Sequence, residues 1–206
     1  MADQESNRRA DHRVPVPENY VREIALWFCA ENEPLRLHLE ELGRPHLRLS
    51  KLGSGRMVLS DVSVRGLGLT LALPPQVVQG LLPAKAMRVY LQLWDPTADN
   101  PGGLLSVFAY CQLTRVAAVA DGLFLGARFI RFAMPSKHEK SMDFLDATRC
   151  GINDLARWCD NIDRGVVFEA RLSNGGLDMD NLLSEVENVL AGAGSDSAPP
   201  DSPENS

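Results

Sequence analysis

DVSVRGLGL, residues 61–69, sets an acid and a hydroxyl two positions apart and then spends two glycines, Gly66 and Gly68, inside an otherwise apolar run. In an extended chain residues i and i+2 face the same side, so Asp61 and Ser63 project together from the end of the strand begun by "RMVLS". Gly66 lets the chain turn tightly or lets a ligand approach bare main chain. The apolar positions after it, "GLGLTLAL", alternate with period two, which predicts a second strand paired with the first.

The same alternation recurs on either side: "LRLHL" from Leu35, "HLRLSKL" from His46 and "MRVYLQLW" from Met87. Turn signals separate these runs, "LGSG" at Leu52, "LPP" at Leu73 and "NPGG" at Asn100. The run "LLSVFAYCQLTRVAAVADGLFLGARFIRF" reads as two longer strands joined near "ADG". "YVREIALWFC" fits either a strand or a short helix. Six or more strands in about 130 residues, with little helix between them, predict a mainly β antiparallel barrel rather than a parallel sheet.

After Pro135 the pattern changes. "SMDFLDATRCGINDLARWCDNID", residues 141–163, places Phe144, Ala147, Ile152, Leu155, Trp158 and Ile162 at helical spacing with Ser141 as a cap, so an amphipathic helix over the barrel is expected. A second, acidic helix is expected in "LDMDNLLSEVENVL", and "AGAGSDSAPPDSPENS" has the composition of a disordered tail. The expected organisation is a flexible basic arm at 1–13, a barrel at 14–135, a helical extension at 136–191 and a tail at 192–206.

Composition narrows the function classes. The 206 residues are 45% hydrophobic and 23% charged, ordinary globular usage with enough apolar material for a core. The net charge of −6 comes from the C-terminal end, where residues 175–206 carry seven acids and no Lys or Arg. Residues 1–174 therefore hold 20 acids against 21 bases, which accommodates a small anionic ligand but lacks the broad basic surface that DNA or RNA requires. Cys29, Cys111, Cys150 and Cys159 show no CxxC spacing and read as reduced core thiols, and the four histidines are scattered, so no metal site is expected. No GxSxG or phosphate-loop pattern occurs, and no enzyme is expected. The polar start and the lack of a long apolar run lead us to expect a cytoplasmic chain without membrane insertion.

Guanine suits a carboxylate over bare main chain, because its N1 and N2 hydrogens are both donors, and an arginine fork meets its O6 and N7 edge. A source of such forks lies in "RRADHR", residues 8–13. The two fragments together resemble the RxxxR and D/NxSxxG signatures of the PilZ domain family, bacterial receptors for cyclic di-GMP. The resemblance spans residues 8–134 and includes "LGARF" at Leu125, similar to a late strand of that family.

The resemblance implies a six-stranded antiparallel barrel followed by helix, and a ligand site made of Arg8, Arg9, Arg13, Asp61, Ser63 and Gly66. It implies cyclic di-GMP as ligand with no further cofactor, an arm that becomes ordered over the nucleotide, and a protein partner that reads the change in motility or biofilm control. The gap of 47 residues between Arg13 and Asp61 is long for the family. A second RxxxR, Arg44 to Arg48, lies nearer, but Arg48 alternates as though exposed on a strand and leaves little room for a hairpin between the motifs.

Plainer readings run alongside: a solvated basic arm, Asp61 and Ser63 capping a turn, and Gly66 and Gly68 marking a bulge. The alternative function is an interaction adaptor that keeps the barrel and binds no nucleotide.

Overall fold

The computed structural model describes residues 12–31, 35–53, 55–81, 83–95, 103–120, 122–136, 141–149 and 151–164. Among these residues ten strands form one antiparallel sheet curled into a half-barrel: β1 (Val14–Pro15), β2 (Val21–Cys29), β3 (Arg36–His38), β4 (Leu47–Arg48), β5 (Met57–Ser63), β6 (Gly66–Leu71), β7 (Ala86–Trp94), β8 (Leu104–Val119), β9 (Gly122–Ser136) and β10 (Ser141–Asp146). The order is β1-β5-β6-β9-β8-β7-β2-β4, with β10 pairing both β9 and β3. The mainly β class and the long β8–β9 hairpin follow the sequence pattern. The six strands implied by the resemblance are corrected to ten among these residues, the two-residue β1 and the unforeseen β10 joining those that alternation marks.

Two apolar layers use the two faces of this sheet. Inside the curl lie Leu59, Val62, Leu67, Leu69, Leu71, Val89, Leu91, Leu125 and Phe129. On the outer face, Trp27, Tyr90, Phe108, Tyr110 and Phe144 form a second layer, covered by β3, β10 and the single-turn helix α1 (Leu39–Leu42). β2 is therefore buried on both sides: Ile24 and Leu26 point inward while Ala25 and Trp27 point outward. A strand covered twice has no wet face to create alternation, which is why "IALWF" fits strand and helix alike.

Two alternating runs are truncated. "LRLHL" is strand only through His38 before α1, and "HLRLSKL" only through Arg48 before the single turn α2 (Leu49–Leu52). "LPP" opens a short helix, α3 (Pro75–Leu81), proline being at home in a first helical turn.

The helix expected over 141–163 is corrected in its first half. Ser141–Asp146 is β10, pairing with β9 from Ser141↔Ser136 to Asp146↔Arg131. Met142 and Phe144 point into the outer layer, a period-two pattern that the helical reading of Phe144 overrode. Ser141 does not cap a helix. Gly151, at φ +71°, breaks the chain, and helix α4 runs over Asn153–Asp163. Thus the chain on both sides of residue 135 belongs to one sheet, and α4 closes the inner core through Leu155, Trp158 and Cys159. The acidic second helix and the tail lie outside the described residues.

Trp158 is fully buried, donates Nε1–H to the Trp94 carbonyl at 2.7 Å and meets the Tyr20 ring edge-on at 6.3 Å between centroids. Beside it, burial pushes the Cys159 thiol up to about 12, so it stays a protonated, unreactive core group. Cys111 is likewise buried, and Cys29 is partly so. We expect Trp158→Ala to remove about 3–5 kcal/mol of stability, read as a lower urea midpoint at unchanged slope.

Candidate functional site

Asp61 owes its position to a β-bulge. In β5, Met57 and Leu59 point into the core, and strict alternation would send Asp61 after them. The register slips between Leu59 and Asp61, so Val62 takes the next inward place and is completely buried. Ser60 and Asp61 share the outer side, where the Ser60 hydroxyl lies 3.0 Å from the Thr70 hydroxyl of β6. A buried lone carboxylate would cost several kcal/mol, so the slip is what makes an acid tolerable in this strand.

The N-terminal arm arrives on the same edge. β1 pairs with β5 as Val14↔Val62 and Pro15↔Asp61. Val14 and Val16 bury inward, and proline is acceptable on such an edge strand because its missing N–H faces no ladder. Anchoring Val14 leaves Arg13 at the edge, where its guanidinium forms an ion pair with the Asp61 carboxylate. The side chains remain 44% and 27% exposed, so the pair contributes about 0.2–1 kcal/mol and is cheap to exchange. Next to it, His12 reaches Asp163 of α4 at 3.4 Å. Two successive arm residues thus touch the sheet and the closing helix.

Ser63 shares the outer side with Asp61, as i, i+2 spacing predicts, but its hydroxyl is engaged locally. It accepts from the Arg65 amide and donates to the Gly66 carbonyl, both at 3.3 Å, pinning the β5–β6 turn. That turn is gripped further by the Phe129 amide donating to the Arg65 carbonyl at 2.8 Å and the Ile152 amide donating to the Val64 carbonyl at 3.2 Å.

Gly66 is architectural too: a methyl group there would overlap the Ala127 carbonyl oxygen of β9. Gly68 serves the acid. Paired directly with Asp61, it carries the carboxylate over its own bare Cα, and a methyl there would meet Asp61 Oδ2 at 2.7 Å. On its other side Gly68 pairs with Gly126 of "LGARF", so two neighbouring strands present main chain without side chains beside the carboxylate.

The structure therefore joins Arg13 with Asp61, sets Ser63 and Gly66 in the turn below them, and leaves Arg8 and Arg9 outside the described residues. Arg48 is corrected: it is not an exposed strand residue. Its side chain is 19% exposed and donates Nε–H to Glu23 Oε2 at 3.0 Å, while Glu23 Oε1 accepts from the Ile24 and Ser50 amides. This arginine neutralises a buried carboxylate, a structural task for the nearer RxxxR.

Sequence reading took Gly68 only as a bulge marker and left it out of the site. The signal was a second glycine at the same strand parity as Gly66, in the third pair from the hairpin end. Among the described residues no group of three or more His, Cys, Asp or Glu is placed to hold a metal, and no helix is long and apolar enough to cross a membrane. No family model, no curated protein and no solved structure matches the chain.

The two glycines separate by measurement. Gly66→Ala forces strands β6 and β9 apart and is expected to cost about 3 kcal/mol or more in urea unfolding, at the upper end of overpacking. Gly68→Ala meets only the end of a side chain and is expected to cost less than about 1 kcal/mol while displacing Asp61 from Arg13.

Proposed function

We propose that this chain is a cyclic di-GMP receptor of the PilZ type, performing no chemistry and signalling its occupancy to a protein partner. The observation that carries the proposal is the meeting of Arg13 with Asp61 across 48 positions of sequence, an arm cation beside a wall anion over bare main chain. The carboxylate is suited to accept guanine N1–H and N2–H, and the guanidinium to take O6 and N7 or a phosphate oxygen. Each group loses a weak partner and gains a stronger one. Giving up an exposed ion pair costs at most about 1 kcal/mol, whereas a bidentate base contact is worth about 1–3 kcal/mol.

Arg8 and Arg9, the adjoining residues of the signature, supply further cations for the phosphates. Because His12 contacts Asp163, drawing the arm over a nucleotide changes what α4 touches, which gives a route from ligand to partner surface. A role in motility or biofilm control and a cytoplasmic location accompany this reading. The second reading, a nucleotide-free adaptor, draws on two facts: Asp61 is already satisfied by Arg13, and the Ser63 hydroxyl by its own turn.

Calorimetric titration with cyclic di-GMP distinguishes them. The receptor reading expects saturable heat at micromolar protein, weakened by about 1–3 kcal/mol in Arg9→Ala, Arg13→Ala and Asp61→Ala, and reduced by salt. Arg48→Ala lowers stability but leaves the affinity of the folded fraction unchanged. Absence of heat from a folded chain favours the adaptor.

A further inference from the structure

Gly68 and Gly126 lie in one row across four strands. The register runs Asp61↔Gly68 from β5 to β6, Gly68↔Gly126 from β6 to β9, and Gly126↔Arg115 from β9 to β8. A carboxylate therefore stands at one end and a guanidinium at the other, with two side-chain-free positions between. Strands lie about 4.8 Å apart, so the bare interval is roughly 10 Å wide. Both glycines are buried, Gly68 beneath the Asp61 carboxylate and Gly126 beneath Arg115 Cβ, Thr114 Oγ1 and Phe124 Cε1, so a flat ring placed between the two charges rests on these groups.

Arg115 is held on that side of the sheet. Its Cβ lies 3.3 Å from where a Gly126 methyl would stand, so any side chain at 126 would crowd it. Its guanidinium carbon sits 5.4 Å from the centre of the Phe124 ring, within cation–π range. Phe124 is two residues before Gly126 on the same strand and so shares its face. The arginine is otherwise exposed, and no part of RxxxR or D/NxSxxG includes it.

We propose that Arg115 is a base-reading residue of this site. With the guanine N1–H and N2–H edge on Asp61, the O6 and N7 acceptors face away from β5 toward the Arg115 fork, which leaves Arg13 to a phosphate oxygen. The absent side chains at Gly68 and Gly126 keep the surface between the two charges low, and the Phe124 ring lies against both Gly126 and the Arg115 fork. This assignment rests on the receptor reading above and adds to it the group that distinguishes guanine by N7.

The test is titration of the full chain with cyclic di-GMP and with its analogue in which both guanines are 7-deazaguanine, which keeps N1, N2 and O6 but replaces N7 with carbon. The wild-type chain is expected to bind the parent about tenfold more tightly than the analogue, one acceptor of a bidentate pair being lost. Arg115→Ala, and Arg115→Lys with its charge but no fork, are each expected to bind the parent about tenfold more weakly and to bind both ligands alike. Circular dichroism of the variants checks that this exposed substitution leaves the fold intact.

Wild-type affinity and wild-type preference in Arg115→Ala overturn the assignment while the receptor reading stands, as does equal binding of the two ligands by the wild-type chain. No binding of either ligand by the wild-type chain overturns both.

Discussion

A single slipped residue in β5 governs the site. The bulge between Leu59 and Asp61 turns one strand inside out over its last positions: Leu59 and Val62 fill the core, and Ser60 and Asp61 emerge on the opposite face. The meeting of Asp61 with Arg13 depends on that exchange. Without it a carboxylate would enter a layer of Leu67, Leu69 and Leu125, and Arg13 would arrive at a hydrophobic edge.

The bulge also divides the labour within DVSVRG. Ser63 and Gly66 act on the protein itself, one by pinning a turn and the other by admitting the Ala127 carbonyl. Asp61 acts outward, toward a cation from a distant part of the chain. The stretch is thus mostly a recipe for bringing β5, β6 and β9 close together, with one group left facing outward. The pairing of Asp61 with Arg13 is a feature that the motif as a string does not contain. Arg48 teaches the same lesson from the other side: its RxxxR spacing matches equally well, yet its guanidinium is consumed by Glu23 in a nearly dry setting, where removing one partner costs about 3–5 kcal/mol.

Much of the sheet was legible where one face of a strand is wet or where a turn is marked: β6, β7 and the β8–β9 hairpin followed from alternation and from the turn at "ADG". The shared side of Asp61 and Ser63 followed from i, i+2 spacing, although the bulge that sends that side outward did not, since a register slip depends on the partner strand. The strand β10 was hidden because Phe144 and Ala147, three apart, fit a helical stripe, whereas the strand face is Met142 with Phe144, and only the pairing with β9 decides between the two patterns. β2 was ambiguous because both of its faces are covered. The row from Asp61 to Arg115 was illegible for a deeper reason: its members are 54 positions apart and meet only through three pairings.

The claim that the arm and the wall of β5 together make one nucleotide site is tested most directly by amide NMR of the isotopically labelled chain during addition of cyclic di-GMP. The account predicts large, saturable shifts for Arg13, Asp61, Gly68 and Gly126, with the Glu23 and Arg48 amides still. Shifts confined to β2 and β4, or spectra unchanged at millimolar nucleotide, would contradict it.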